Sequence, residues 1–199
     1  MIDIISYHSL PFTIFENTYN NALDSGQQNI EAMCLSTSDK NFTYSRMVNV
    51  KYILNDKLIF FSNYNSNKAK QIQISENVAC LFFWPQINSQ IRLLGTIRNS
   101  SNEFSNDHFS NRSIYKNALA ISSNQSQQIE SYEKVKNKYK TVLSNYTEST
   151  NRPSYWGGYE ITPNYFEFWK GEKNRLNLRE EFKLIDSKQN LWSRCYLEP

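Results

Sequence analysis

The chain has 199 residues, 39% of them hydrophobic and 15% aromatic, which suits one domain with a sizeable core. Its 22 Lys and Arg against 19 Asp and Glu leave a net charge of +3, too balanced to imply a polyanion-binding surface, so nucleic acid is not an expected partner. The opening MIDIISYHSLPF has no basic n-region, and no stretch reaches the about 18 apolar residues of a membrane span, so a soluble, cytoplasmic protein is expected.

Pro11 followed by Phe12, Phe15, Tyr19 and Leu23 spaces apolar side chains three or four apart behind a proline suited to a first helical turn. This predicts an amphipathic helix over about 11–25. After the turn-rich DSGQQN, the runs Glu31–Thr37, Tyr44–Leu54 and Leu58–Ser62 are β-branched or aromatic and separated by polar turns, which predicts three antiparallel strands. Ser66 then caps a short helix, NKAKQIQIS, with Ala69 and Ile72 inward. Val78–Trp84 and Gln90–Ile97 return to strand character, with Pro85 marking the turn between them.

From Ser100 to Gln125 the chain is polar and lacks a sustained apolar period, so a loop or short helices fit, and so long a connection invites a functional explanation. A second long helix opens at Ser126, with Ile129, Tyr132, Val135 and Tyr139 on one face, until TESTNRPS ends it. The remainder, Trp156–Thr162, Tyr165–Trp169, Glu181–Asp186 and Leu191–Leu197, reads as two hairpins with turns at Thr162-Pro163-Asn164 and Ser187–Asn190. No repeat or second domain emerges. The whole chain, 1–199, is expected to be one mainly β domain: a closed or nearly closed β-barrel with flanking helices, since closure removes exposed edges.

Cys34, Cys80 and Cys195 are widely separated and, with only His8 and His108 besides, form no metal-ligand spacing, so the thiols are read as reduced and no metal site is expected. There is no Gly-x-Gly-x-x-Gly and no Walker loop, so any phosphate must be held largely by side chains. Two segments offer that. In SRMVNVK, Arg46 and Lys51 lie five apart and point to opposite faces of a regular strand, so they serve different groups. In NYNSNK, the first amides of a helix, the Ser66 hydroxyl and Lys68 together make an anion site. Taken alone, that second segment reads more plainly as a capped surface helix with a solvated lysine.

Eight ordered blocks change that balance: EAMCLST, SRMVNVK, IFFSNYNSNKAKQI, ACLFFWP, SQIRLLG, NQSQQI, WGGY and FEFWKGEKNRLNLR. In order and approximate spacing they resemble the signature blocks of the pyridoxamine 5′-phosphate oxidase family, from about residue 30 to the C-terminus. The resemblance implies an FMN-binding split β-barrel that forms a homodimer, with two FMN molecules in clefts shared between subunits and a C-terminal dimerisation and substrate segment over about 153–199. It assigns Arg46, Met47 and Val48 to the flavin, with Arg46 on its phosphate. It adds Phe61 and Ser62 to the cleft, Ser66 and Lys68 to the phosphate, and Gln90, Gln125, Ser126, Trp169 and Arg179 as further flavin contacts. Asn67 stands where the family usually has a second arginine, and losing a guanidinium removes a bidentate phosphate contact.

For the substrate, a phosphorylated pyridine, the resemblance assigns Lys51, Arg112 and Arg175, the last lying over the ring and, with Asn177, in the catalytic role. His108, Lys116 and Asn177 replace the family's tyrosine, serine and histidine. The first two still donate to a phosphate, whereas Asn177 loses a titratable ring. The function implied is oxidation of pyridoxamine or pyridoxine 5′-phosphate to pyridoxal 5′-phosphate with oxygen as acceptor. A relative oxidising another small heterocycle and a non-catalytic flavin or pyridoxal-phosphate binding protein are the alternatives, because fold likeness does not determine a site.

Overall fold

The computed structural model describes residues 1–147 and 149–199. Glu148, within the TESTNRPS segment, therefore lies outside the described residues. The chain runs β1 (Asp3–Ser6), α1 (Leu10–Asp24), β2 (Ala32–Ser38), β3 (Thr43–Leu54), β4 (Lys57–Asn63), α2 (Asn67–Ile74), β5 (Asn77–Trp84), β6 (Ser89–Asn99), α3 (Asn102–Ser110), α4 (Ile114–Ser122), α5 (Tyr132–Ser144), β7 (Trp156–Lys170), β8 (Leu178–Asp186) and β9 (Leu191–Tyr196). Strands β3, β2, β5, β6, β7 and β4 pair in that order, and β4 pairs back onto β3, closing a six-stranded antiparallel barrel. Outside the ring, β1 lies parallel to the end of β3, while β8 and β9 extend from β7.

Alternation sets the interior. Met33, Leu35 and Thr37 of β2 and Val78, Cys80, Phe82 and Trp84 of β5 point inward, and their neighbours face out. Helix α1 seals this core with its apolar stripe. Phe12 meets Phe166 edge-on at 5.2 Å, and Phe15 meets Phe82 at 5.2 Å and Trp84 at 5.7 Å, the T-shaped geometry that the ring quadrupole favours. The helix starts one residue before Pro11, whose fixed φ suits the first turn.

The polar stretch after Ser100 forms two short helices, α3 and α4, the first capped by Ser101, whose hydroxyl accepts from the Phe104 amide. Their apolar residues Phe109 and Ala120 pack on Trp156 as a second, smaller core. No helix among the described residues is long and apolar enough to cross a membrane.

Three elements differ from the sequence expectation. The last helix begins at Tyr132, not Ser126: Ser131 caps it by accepting from the Lys134 amide, whereas Ser126 sits at φ +71°, so Ile129 precedes the helix. The four-residue β1 carries too short a pattern to be read as a strand. Most consequentially, Thr162-Pro163-Asn164 is not a turn, and the two hairpins expected beyond Trp156 are one 15-residue strand, β7, followed by the β8–β9 pair. β7 is paired with β6 from Tyr159 to Lys170 and accommodates Pro163 opposite Gly95 at a shift in register. A side chain at 95 would place its Cβ 2.3 Å from the Thr162 carbonyl oxygen, which accounts for glycine there. At the same point the other edge of β7 changes partner, from β4 through Ile161 to β8 from Tyr165. This exchange splits the barrel from its C-terminal hairpin.

Candidate functional site

Arg46 leaves β3 on the same side as Val48 and Val50. Its Nη1 donates to the Leu35 carbonyl at 3.1 Å and to Thr37 Oγ1 at 2.6 Å, and its Nη2 donates to Gln71 Oε1 at 2.8 Å. Thr37 also donates to Gln71, at 2.6 Å, so a buried polar pair fixes the guanidinium from below. Beside it, at the start of α2, Lys68 is 8% exposed and donates to Ser62 Oγ at 2.9 Å, Ser66 Oγ at 3.1 Å and Gln125 Oε1 at 3.3 Å. Ser66 occupies the N-cap position but makes no capping bond, its hydroxyl being turned to Lys68. The Asn67 amide donates to Ser126 Oγ at 3.3 Å, while the Asn67 side chain stays exposed.

Neither cation is paired with a carboxylate among the described residues. Burial first, and the neighbouring Arg46 second, push the Lys68 ammonium down to about 8. Burial also pulls the Arg46 guanidinium below its usual value. Two cations thus sit half or wholly desolvated beside each other, facing a cavity of about 660 Å³ that Met47, Lys70, Gln125 and Ser126 also line.

A second cationic group forms on the outer face. Arg46 and Lys51 leave opposite sides of β3, as their spacing predicts, but the strand is not regular at Lys51. Its pairing with β4 slips between Val50 and Tyr52, and the interior positions Val50 and Ile53 are three apart, so Lys51 and Tyr52 both leave the interior. Tyr52 Oη lies 2.7 Å from His108 Nδ1, and the imidazole stacks on Phe61 with centroids 3.6 Å apart and planes 10° from parallel. One face of the Phe61 ring is therefore taken by His108. The Arg112 guanidinium lies 4.4 Å over Trp156 and donates to Asn117 Oδ1 at 3.2 Å. Asn117 is itself buried and anchored through donations to the Phe109 carbonyl and the Tyr146 hydroxyl. Lys116 stands in solvent and lines, with Arg112, Trp156 and Gln125, a cavity of about 200 Å³. Burial, then Arg112, Lys51 and Lys116, push His108 down to about 4, so its ring is neutral at physiological pH. Lys51 also has an acid near it, Glu31 Oε1 at 3.7 Å. Gln125 lines both cavities and so lies between the two groups.

The remaining predicted residues lie elsewhere in the subunit. Gln90, Trp169 and Arg179 stand in one register row across β6, β7 and β8. Arg179 donates from Nε to the buried Glu167 at 2.9 Å and from Nη1 to the Glu198 carbonyl at 2.8 Å. Arg175 is exposed at φ +63° on the connection between β7 and β8, and Asn177 accepts there from the Glu172 amide at 3.1 Å. None of these five lines either cationic cavity. Sequence reading missed Thr37, Gln71 and Lys70 around the first group and Tyr52 and Asn117 around the second. Thr37, Gln71 and Tyr52 act through partners on other elements, which local patterns do not reveal.

Two family models match the chain: pyridoxamine 5′-phosphate oxidase over residues 21–145, and pyridoxine 5′-phosphate oxidase C-terminal dimerisation region over 156–199. Pyridoxine/pyridoxamine 5′-phosphate oxidase 1 of Hydrogenovibrio crunogenus is 34% identical over 190 residues, covering 95% of this chain and 88% of that protein. The pyridoxine/pyridoxamine 5′-phosphate oxidase of Rippkaea orientalis is 36% identical over 191 residues, covering 95% and 89%. Among solved structures, PhzG from Burkholderia lata in complex with tetrahydrophenazine-1-carboxylic acid superposes with a TM-score of 0.89 at 22% identity, over 96% of this chain and 94% of that one. A pyridoxamine 5′-phosphate oxidase-related, FMN binding protein from Nostoc punctiforme superposes with a TM-score of 0.76 at 16% identity, over 93% and 97%. Both structural likenesses establish the fold.

Proposed function

The chain belongs to the pyridoxamine 5′-phosphate oxidase family, and from that premise we propose that it oxidises pyridoxamine or pyridoxine 5′-phosphate to pyridoxal 5′-phosphate with dioxygen as acceptor. It is a flavin oxidoreductase of that family, and its cofactor is FMN. One observation carries the reading of the site: Arg46 and Lys68 are held side by side, half or wholly desolvated, by three hydroxyls, two side-chain amides and one backbone carbonyl, with no carboxylate paired to either among the described residues. Such an arrangement costs free energy until an anion enters, and a phosphate monoester supplies the missing charge and acceptors. The residues fit FMN's phosphate.

In this reading Arg46, Ser66 and Lys68 bind the flavin phosphate. Ser62, the Asn67 amide, Gln125 and Ser126 complete its polar wall, and Met47, Val48 and Phe61 belong to the adjoining cleft. Bound there, FMN would supply the redox chemistry, as acceptor of a hydride from the substrate's C4′ carbon and carrier of its electrons to oxygen. Lys51, His108, Arg112 and Lys116 grip the substrate phosphate. The chain's own contribution is binding and orientation, and no side chain need be a strong general base.

Gln90, Trp169, Arg175, Asn177 and Arg179 serve the same reaction from a second copy of the chain. The matched dimerisation region supports a homodimer, and within one subunit these residues line neither cationic cavity. Arg175 engages the pyridine ring, and Asn177 hydrogen-bonds its substituents without supplying a charge. The replacements at His108, Lys116 and Asn177 favour, as a second reading, another small phosphorylated heterocycle.

Anaerobic stopped-flow reduction of the bound flavin tests the proposal. Pyridoxine 5′-phosphate should bleach the flavin, and pyridoxine without its phosphate should do so far less. A flavin that pyridoxine and pyridoxamine 5′-phosphates leave oxidised rules out this substrate and gives precedence to the second reading.

A further inference from the structure

The two ring nitrogens of His108 have different surroundings. Nδ1 faces Tyr52 Oη at 2.7 Å. Nε2 makes no hydrogen bond among the described residues, and it is not sealed from solvent, since Ser100 Oγ is the one sealed and unpaired side-chain polar atom among them. Rotation of the ring is restrained by the stack on Phe61 and by the Tyr52 ring, which meets it edge-on at 5.3 Å and 86°. The charged groups that act on it are Arg112, Lys51 and Lys116, all cations. Asp107 precedes it on the same helix.

A neutral imidazole carries one proton, and its partner decides where. The Tyr52 phenol keeps its proton, because burial raises its pKa, and its one hydrogen-bond partner among the described residues is Nδ1. A phenol donates more readily than it accepts, so Nδ1 takes the acceptor role and the ring proton is left on Nε2. In the other tautomer Nε2 would present a lone pair to whatever anion the three cations attract, turning a donor into a repulsive contact.

We propose that Tyr52 is a positioning residue that sets the tautomer of His108, fixing the ring as an Nε2–H donor toward the substrate phosphate. This rests on the reading of His108 as a phosphate ligand. It makes a residue that does not touch substrate responsible for part of the phosphate selectivity, acting through a contact 56 positions away in the chain.

The test is ¹⁵N NMR of FMN-loaded enzyme labelled at histidine, which is tractable because the chain has two histidines and a His8→Gln variant leaves His108 alone. In the wild type His108 should be protonated at Nε2 and bare at Nδ1. In Tyr52→Phe the ring should become a mixture of tautomers. The affinity for inorganic phosphate, titrated against the His108 signal with the flavin site filled, should fall about three- to tenfold, the scale of one hydrogen bond. The affinity for FMN should not change. A wild-type ring protonated at Nδ1 overturns the proposal and needs no variant to be seen. So does a Tyr52→Phe ring that stays purely Nε2–H, or one with unchanged phosphate affinity. Failure of pyridoxine 5′-phosphate to reduce the flavin would instead remove the proposed substrate while leaving these readouts intact.

Discussion

The group around Arg46 and Lys68 and the group around Arg112 and Lys116 hold cations in opposite ways. The first is built into regular structure: a barrel strand, the first turn of a helix, and buried Thr37 and Gln71 beneath. Its charges are costly and immobile. The second is assembled from a strand bulge and two short helices, with Arg112 resting on Trp156, His108 on Phe61, and Lys116 free in solvent. An acid-free pair of one buried lysine and one half-buried arginine, both fixed by hydrogen bonds, demands one particular anion at one place. A group that includes an exposed lysine and is steadied by aromatic faces is less demanding of any one member.

The largest expected effect is on the buried side. Arg46→Ala should weaken FMN binding by about 1.5–3 kcal/mol, the scale of a charged hydrogen bond, and leave riboflavin affinity nearly unchanged, as measured by quenching of flavin fluorescence. Equal losses for both flavins would show that Arg46 serves the ring or the fold and not the phosphate. On the other side, Arg112→Ala should cost about 1.5 kcal/mol in substrate affinity, the low end of the same range because that guanidinium already has Asn117 and Trp156 as partners. FMN affinity should stay constant. A matching loss of FMN would mean that the two groups are one site.

Acidity separates them next. Lys68, at about 8 in the ligand-free protein, is mostly charged at pH 7 and loses its proton as pH rises through 8, so FMN affinity should decline above that pH. Stability of the flavin-free protein should move the other way. A lysine whose folded pKa lies below its unfolded value binds fewer protons when folded, so stability rises between about 8 and the ordinary lysine value of 10.5. Thermal melts of apoprotein across that window should climb by this contribution, and Lys68→Met should flatten the climb. His108, at about 4, is neutral on both sides of pH 6.5, so substrate affinity should show no step there from this ring. The smallest effects belong to exposed Lys70 and Lys116. Each alanine variant should lose only about 0.2–1 kcal/mol, of flavin and substrate binding respectively, and the loss should shrink with added salt.

What could be read in advance follows the same division. Arg46, Ser66 and Lys68 stand within or beside elements whose alternation and helix start are written locally, and the barrel strands from β2 to β6 were legible for that reason. Gln71 looked like an ordinary polar helix residue because its partners, Thr37 and Arg46, lie 34 and 25 positions away. Tyr52 was equally silent, since only tertiary packing brings it to His108. The errors at Ser126 and Pro163 have one cause. Each residue carries a strong local signal, for a cap and for a turn, and a stronger arrangement overrode it: the Ser131 cap in one case and the continuous ladder with β6 in the other.

The partner exchange along β7 gives the molecule a seam. Upstream of Pro163 the strand is a stave of the closed ring, and downstream it is the spine of an arm formed by β8 and β9, carrying on the connection Arg175 and Asn177. Downstream of Pro163 β7 keeps its ladder with β6 on one edge, while β8 and β9 pair with the barrel only through β7, so insertions, deletions or exchange of the arm's connection need not open the barrel. A lineage could thus retain the proposed flavin phosphate grip in the barrel while trying new substrate-facing residues on the arm, and the Asn177 of this chain stands where such a trial would be made.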